Sequence, residues 1–268
     1  MKTKLIIYIL VVIFLFDKNI FSHEFYDLRT MADYRKKQYP LHNYSYIIVC
    51  TPYRTGSTLL FNVLRFLFEK ESYLSKKADF VFPGKNLDKN YIVHKAHTYP
   101  SNLNSTFVIS SIRNPFDACI SRYKFYRNKN VSKKHFFNME IKDYVHDYIN
   151  QLKELEKFSY YNKNLYVFKY EEFNNDLDFL LIELEKIFSI SIDNKDKKTI
   201  KNLFSKENMN ANSEKHCKFF TYDKQSLLFQ NHVDTNFYVY EQETLKKFHS
   251  YLMNYKNYLE KWGYKIDY

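Results

Sequence analysis

Glycine is nearly missing from this chain: three residues in 268, where ordinary usage is roughly 7%. Cysteine is as sparse. Cys50, Cys119 and Cys217 show no paired spacing, which excludes a disulfide framework and reads as buried free thiols. No zinc-ligand array, RNA-binding signature or single basic helix is present, and no metal site is expected. No unbroken apolar run reaches the length of a membrane span; the longest, Leu5–Phe16, has twelve residues. Internal repeats, low-complexity linkers and a second domain boundary are also absent.

What remains is a chain of 45% hydrophobic residues with a formal net charge of +11. That is enough for a sizeable core in one large domain or two small ones. The charge is spread along the sequence, so it says only that anions are attracted: nucleic acid, acidic glycans, a membrane surface or an anionic cofactor. The surplus of Lys, Asn, Tyr and Phe fits a compositional bias. The stretch 1–22 stands apart. Lys2 and Lys4 precede the apolar run, and Asp17 and Lys18 close it. A cleaved signal peptide and a short uncleaved anchor both fit, and either predicts entry to the secretory pathway, to the Golgi lumen or outside the cell, with membrane attachment only through the N-terminus. Sequons at Asn43, Asn104 and Asn130 agree with such a location. Residues 23–43 read as a leader and 44–268 as the folded domain.

Within that domain apolar runs alternate with helical patterns. Strands are expected at Tyr46–Cys50, Tyr91–Val93, Thr106–Ile112 and Leu165–Lys169. The spacing of Leu59, Leu60, Val63, Leu64 and Leu67 predicts a helix after the first strand. A second helix follows Asn114-Pro115, with Asn as cap and Pro at the first helical position. Longer apolar periods mark helices from Ile141 to Leu155, over Leu177–Phe188, and from Leu245 to Trp262. Strand–helix alternation predicts an α/β fold, a central parallel sheet with helices on both faces. Ligands of such sheets sit at the carboxyl ends of the strands.

One of the scarce glycines stands at such an end. Thr51-Pro52-Tyr53-Arg54-Thr55-Gly56-Ser57-Thr58 joins the first strand to its helix. A helix N-terminus offers unpaired N–H groups and a positive dipole end. Arg54 adds a fixed charge and a fork of donors, and Gly56 lets the backbone approach an anion. The turn is therefore expected to cradle an oxyanion. It is not a Walker loop: Ser57 stands where the lysine after the second glycine belongs, which weighs against a P-loop-like kinase.

Pro52–Thr58 resembles the 5′-phosphosulfate loop of the sulfotransferases that use 3′-phosphoadenosine 5′-phosphosulfate (PAPS), with Arg54 in the usual Lys place. "FVISSIRNPFDACISRY" is similar to their second signature, an Arg at a strand end and a Ser eight residues on, here Arg113 and Ser121. "HKAHTYP" resembles their Lys-Thr-His motif, with Ala96 for Thr and an extra residue before Pro100. "VFKYEEF" resembles a strand-end motif whose first residue here is Tyr170. The family's C-terminal Arg-Lys-Gly loop is not evident; Lys224 and Asn231-His232 stand about where it would be.

The resemblance implies a P-loop-NTPase-like sulfotransferase fold and a sulfuryl transfer from PAPS to a hydroxyl or amine, without a metal. It implies that Arg54, Thr55, Gly56, Ser57 and Thr58 hold the 5′-phosphate, and Arg113 and Ser121 the 3′-phosphate. Tyr170 would lie near the adenine, Lys95 would assist the sulfate, and His97 would serve as general base. A glycan, glycolipid, secreted molecule or small hydroxylated compound is the expected acceptor; nucleic acid is not. A non-catalytic anion- or glycan-binding protein on the same fold is the competing reading, since the missing C-terminal loop permits an inactive member.

Overall fold

A computed structural model of the chain describes residues 46–68, 77–80, 91–96, 99, 106–127, 139–162, 164–205 and 242–266. Five strands form one sheet: β1 (Tyr46–Cys50), β2 (Lys77–Phe80), β3 (Tyr91–Ala96), β4 (Thr106–Ile112) and β5 (Leu165–Lys169). Their order is β2-β3-β1-β4-β5, and every pairing is parallel. β1, the source of the glycine turn, therefore lies in the middle, between β3 and β4.

Residues alternate across the sheet, so each strand feeds two cores. Ile47, Val49, Phe107, Ile109, Tyr166 and Phe168 face one side. There they meet α1 (Ser57–Phe68), the one-turn α4 (Tyr170–Phe173), α5 (Leu177–Phe188) and α6 (Asn194–Phe204). Ile48, Cys50, Val108, Ile112, Leu165 and Val167 face the other side. That face packs on α2 (Pro115–Arg127), α3 (Ile141–Tyr161), α7 (Gln242–Met253) and α8 (Lys256–Lys261). Helices on both faces of a parallel sheet are what the alternating pattern required. No described helix is long and apolar enough to cross a membrane.

Local chemistry sets the helix ends. Asn114 Oδ1 accepts from the amides of Phe116 (3.0 Å) and Asp117 (3.4 Å), so the expected cap forms. Such a cap stabilises a helix by about 1 kcal/mol. Asp176 caps α5 through the amides of Asp178 and Phe179.

Some elements depart from the sequence pattern. β3 runs on to Ala96, past the apolar letters Tyr91–Val93, because its backbone pairs with β1 as far as Cys50 opposite Ala96. The four-residue β2 has too short a pattern to be read. α6 is charged along most of its length and was not anticipated; Ile200 and Phe204, one turn apart, are its buried apolar anchors. The final apolar period divides into α7 and α8 at residues 254–255. Cys50 and Cys119 are buried free thiols, and burial raises both thiol pKa values. Cys217, the three sequons and residues 1–45 lie outside the described residues.

Candidate active site

The turn after β1 leaves the sheet at its carboxyl edge through two residues in the left-handed region, Arg54 (φ 68°) and Gly56 (φ 92°). For arginine that backbone state costs about 1–2 kcal/mol. At Gly56 a side chain is barred twice over. A Cβ there would lie 2.7 Å from Tyr170 Cδ2 and 2.8 Å from Phe173 Cζ. The one glycine of this turn is thus required by the backbone angle and by the aromatic wall that α4 builds behind it.

Neighbouring elements hold the turn in shape. Thr51 Oγ1 and Thr55 Oγ1 both donate to Pro52 O, at 2.9 and 2.8 Å. Ser111, on β4, donates to Thr55 O at 2.6 Å. Gly56 O accepts from the Leu60 amide at 3.1 Å, which opens α1. The Thr55 side chain is wholly buried and bonded inside the protein, so what this residue can offer a ligand is its backbone.

Cationic side chains from three different strand ends gather around the turn. Arg54 Nε donates to Ser121 Oγ at 3.0 Å, and the Arg54 guanidinium lies over the Phe125 ring, 5.0 Å from its centroid. Arg113, one residue beyond β4, is 6% exposed. Its Nη1 donates to Arg54 O at 3.3 Å, and its guanidinium sits 4.4 Å from the centroid of Tyr170. Lys95, the penultimate residue of β3, donates from Nζ to Thr58 Oγ1 at 2.7 Å. The charges oppose one another. Burial and then the Arg113 charge bring Arg54 down to about 10. Burial and then the Arg54 charge bring Lys95 down to about 8. A site that depresses its own cations is one that an anion would relieve.

Arg113 is locked by its backbone. The Tyr148 hydroxyl, on α3, donates to Arg113 O at 2.6 Å and accepts from the Arg113 amide at 3.3 Å. Next along the chain, the Asn114 amide donates to Glu171 at 2.6 Å; Glu171 in turn accepts from the Tyr264 hydroxyl at 3.1 Å. One donor is left over: Arg113 Nε is buried with no hydrogen-bond partner. An unmade bond at such a donor costs about 1–3 kcal/mol, and an anionic oxygen is what would satisfy it.

Of the residues singled out in the sequence, Arg54, Gly56, Thr58, Lys95, Arg113, Ser121 and Tyr170 come together at this one edge. Ser57 is the first residue of α1, and its side chain is buried. His97 lies outside the described residues, as do Lys224, Asn231 and His232. Ser111, Tyr148 and Glu171 are supports that the sequence reading missed. Ser111 did leave a signal, a hydroxyl pair interrupting an apolar strand; Tyr148 looks like any other helix-core aromatic. Among the described residues no group of three His, Cys, Asp or Glu side chains is placed to hold a metal.

The family described as the sulfotransferase domain matches residues 45–257. No curated protein matches the chain. Among solved structures, the mouse sulfotransferase SULT7A1 complexed with PAP is 16% identical, with a TM-score of 0.55, over 84% of this chain and 88% of that one. A retinol dehydratase in complex with androsterone and the inactive cofactor PAP is 12% identical, with a TM-score of 0.49, over 84% of this chain and 83% of that one. At 16% identity the likeness to the mouse structure is one of fold.

Proposed function

As the chain belongs to the sulfotransferase domain family, we propose that it moves a sulfuryl group from PAPS to a hydroxyl or amine of an acceptor, a glycan, glycolipid or secreted molecule. The observation that carries this reading is the meeting of Arg54, Lys95 and Arg113 around one glycine turn, with Arg113 Nε buried and unsatisfied. The residues fit a ligand bearing anionic groups at two ends. The amides of residues 55–58, Arg54 and Lys95 form one end, and Arg113 with Ser121 forms the other.

Bound there, PAPS would supply the activated sulfuryl group and a bisphosphate carrier as leaving group. The protein's part is positioning and charge stabilisation. The backbone amides and Arg54 hold the 5′-phosphate and offset the charge that grows on it. Arg113, whose fork lies over the Tyr170 ring, and Ser121 would hold the 3′-phosphate. Lys95 orients sulfate oxygens, and its bond to Thr58 keeps it at the loop. His97, two residues past Lys95, takes the proton from the acceptor. The acceptor class rests on the Lys2–Phe16 pattern and the lumenal location it supports.

Incubation of the full chain with labelled PAPS and separate glycan, glycolipid, phenol and secreted-protein pools tests the reading. Label should pass to the glycan or glycolipid pool. Label in the phenol pool alone would replace the acceptor class. Binding of adenosine 3′,5′-bisphosphate (PAP) with no transfer to any pool would leave a non-catalytic member, and absence of both would sink the reading.

A further inference from the structure

The residue before Arg54 is held by α3. The Tyr53 amide donates to Gln151 Oε1, on α3, at 2.7 Å. Gln151 Nε2 donates to Asp147 Oδ2 at 2.9 Å. Asp147 is paired with Arg122 Nη1. The Arg122 guanidinium lies 4.4 Å from the centroid of the Tyr53 ring and 5.6 Å from that of Tyr126. The chain of contacts closes on itself: Tyr53 amide, Gln151, Asp147, Arg122, Tyr53 ring.

Each link has one permitted direction. A backbone N–H only donates and a carboxylate only accepts, so the Gln151 amide has a single orientation that serves both. Asp147 sets that orientation, and Arg122, 6% exposed, fixes Asp147 by charge. The grip falls on the residue immediately before Arg54, whose left-handed backbone must be held against its cost. A residue so placed sets where Arg54 and the next amides point.

From these contacts we infer that Gln151 is a positioning residue for the anion-holding loop, with Asp147 and Arg122 as the ion pair that orients it. Its consequence for cofactor affinity rests on the reading above; the hydrogen bond to Tyr53 does not. The titratable groups that act on Tyr53, the residue Gln151 holds, are Tyr126 and Arg122 on α2, Asp147 on α3 and Cys50 on β1, and Glu154 on α3 acts on Cys50.

Two variants of the full chain test the inference. Gln151→Met removes both hydrogen bonds at similar volume. The Tyr53 amide should then exchange with solvent about tenfold faster or more, and PAP should bind about tenfold more weakly, with the melting temperature within a few degrees of wild type. Gln151→Glu keeps the acceptor but, when ionised, sets a carboxylate against Asp147. Protonation restores a donor, so its PAP affinity relative to wild type should recover as pH falls from 8 to 5.5. A role in packing alone would not produce that recovery. Unchanged Tyr53 exchange in Gln151→Met, or a variant-to-wild-type affinity ratio flat with pH in Gln151→Glu, overturns the inference. Failure of the wild type to bind PAP would instead sink the functional reading, and Tyr53 exchange would still decide whether Gln151 holds the loop.

Discussion

Arg54 and Ser121 are 67 residues apart in sequence and joined by a 3.0 Å hydrogen bond from Nε to Oγ. The bond ties the turn after β1 to the helix after β4, so the two sequence signatures form one surface. Residues so coupled should not act independently on an anion that meets both. In PAP titrations by calorimetry, Arg54→Ala and Ser121→Ala should each weaken binding. The double variant should depart from their sum by about 0.5–3 kcal/mol. Strict additivity would mean that the two side chains serve separate sites.

Arg113→Ala should weaken PAP binding about 10- to 100-fold, since hydrogen bonds to charged groups contribute about 1.5–3 kcal/mol. Arg113→Lys should restore little of it: a lysine has no planar fork to lie on Tyr170 while donating to Arg54 O. Equilibrium binding by calorimetry checks both.

Gly56→Ala should lower both the melting temperature and PAP affinity. The added Cβ meets two aromatic carbons at 2.7 and 2.8 Å, from a backbone angle of φ 92°. Left-handed backbone costs about 1–2 kcal/mol and overpacking about 1–3 kcal/mol. Thermal melts of the two proteins side by side would show a loss of several degrees; equal melts would contradict the contact with α4.

Lys95 makes pH a probe of the site. Its ammonium is depressed to about 8 in the free protein, below its ordinary 10.5. Below pH 8 the folded chain carries the full penalty of holding that charge, and the penalty fades as pH rises from about 8 to 10.5. The apo protein should therefore gain stability from Lys95 across that window. PAP, which favours the charged form, should bind with an affinity that falls above pH 8. Lys95→Met should bind more weakly at pH 7 and lose that fall. Melting curves and titrations from pH 7 to 10 measure the two effects.

His97→Ala should leave PAP affinity within about twofold of wild type and lower kcat by about 10²–10⁴, the usual range for a general base. Steady-state kinetics against the acceptor that takes label would show it. Equal turnover of variant and wild type would remove His97 from the role.

Much of this could be read along the chain. Unbroken apolar runs located β1, β4 and β5, and period-3.6 patterns located α1, α3 and α5, since strands of a parallel sheet are buried on both faces and helices on one. β2 and α6 escaped because four residues are too few to show a pattern and because the buried apolar anchors of α6, Ile200 and Phe204, stand among lysines. In the site, Arg54, Lys95 and Arg113 were legible because each stands at or near a strand end, and Ser121 because it follows Arg113 by the eight residues of the family's second signature. Ser111, Tyr148, Gln151 and Glu171 were not, since each acts on the site through hydrogen bonds to a residue tens of positions away.

Local chemistry along the chain, then, determined where strands stop, which turn carries the glycine, and which cations stand at strand ends. Only the sheet order β2-β3-β1-β4-β5 decided that those cations gather around one turn. With β1 between β3 and β4, Lys95 and Arg113 approach the turn from opposite sides. The repulsion of Arg54 by Arg113 and of Lys95 by Arg54, the burial that depresses Lys95 and Arg54, and the unsatisfied donor of Arg113 exist only once the sheet has formed, because charge and desolvation depend on distance in space and not on distance along the chain.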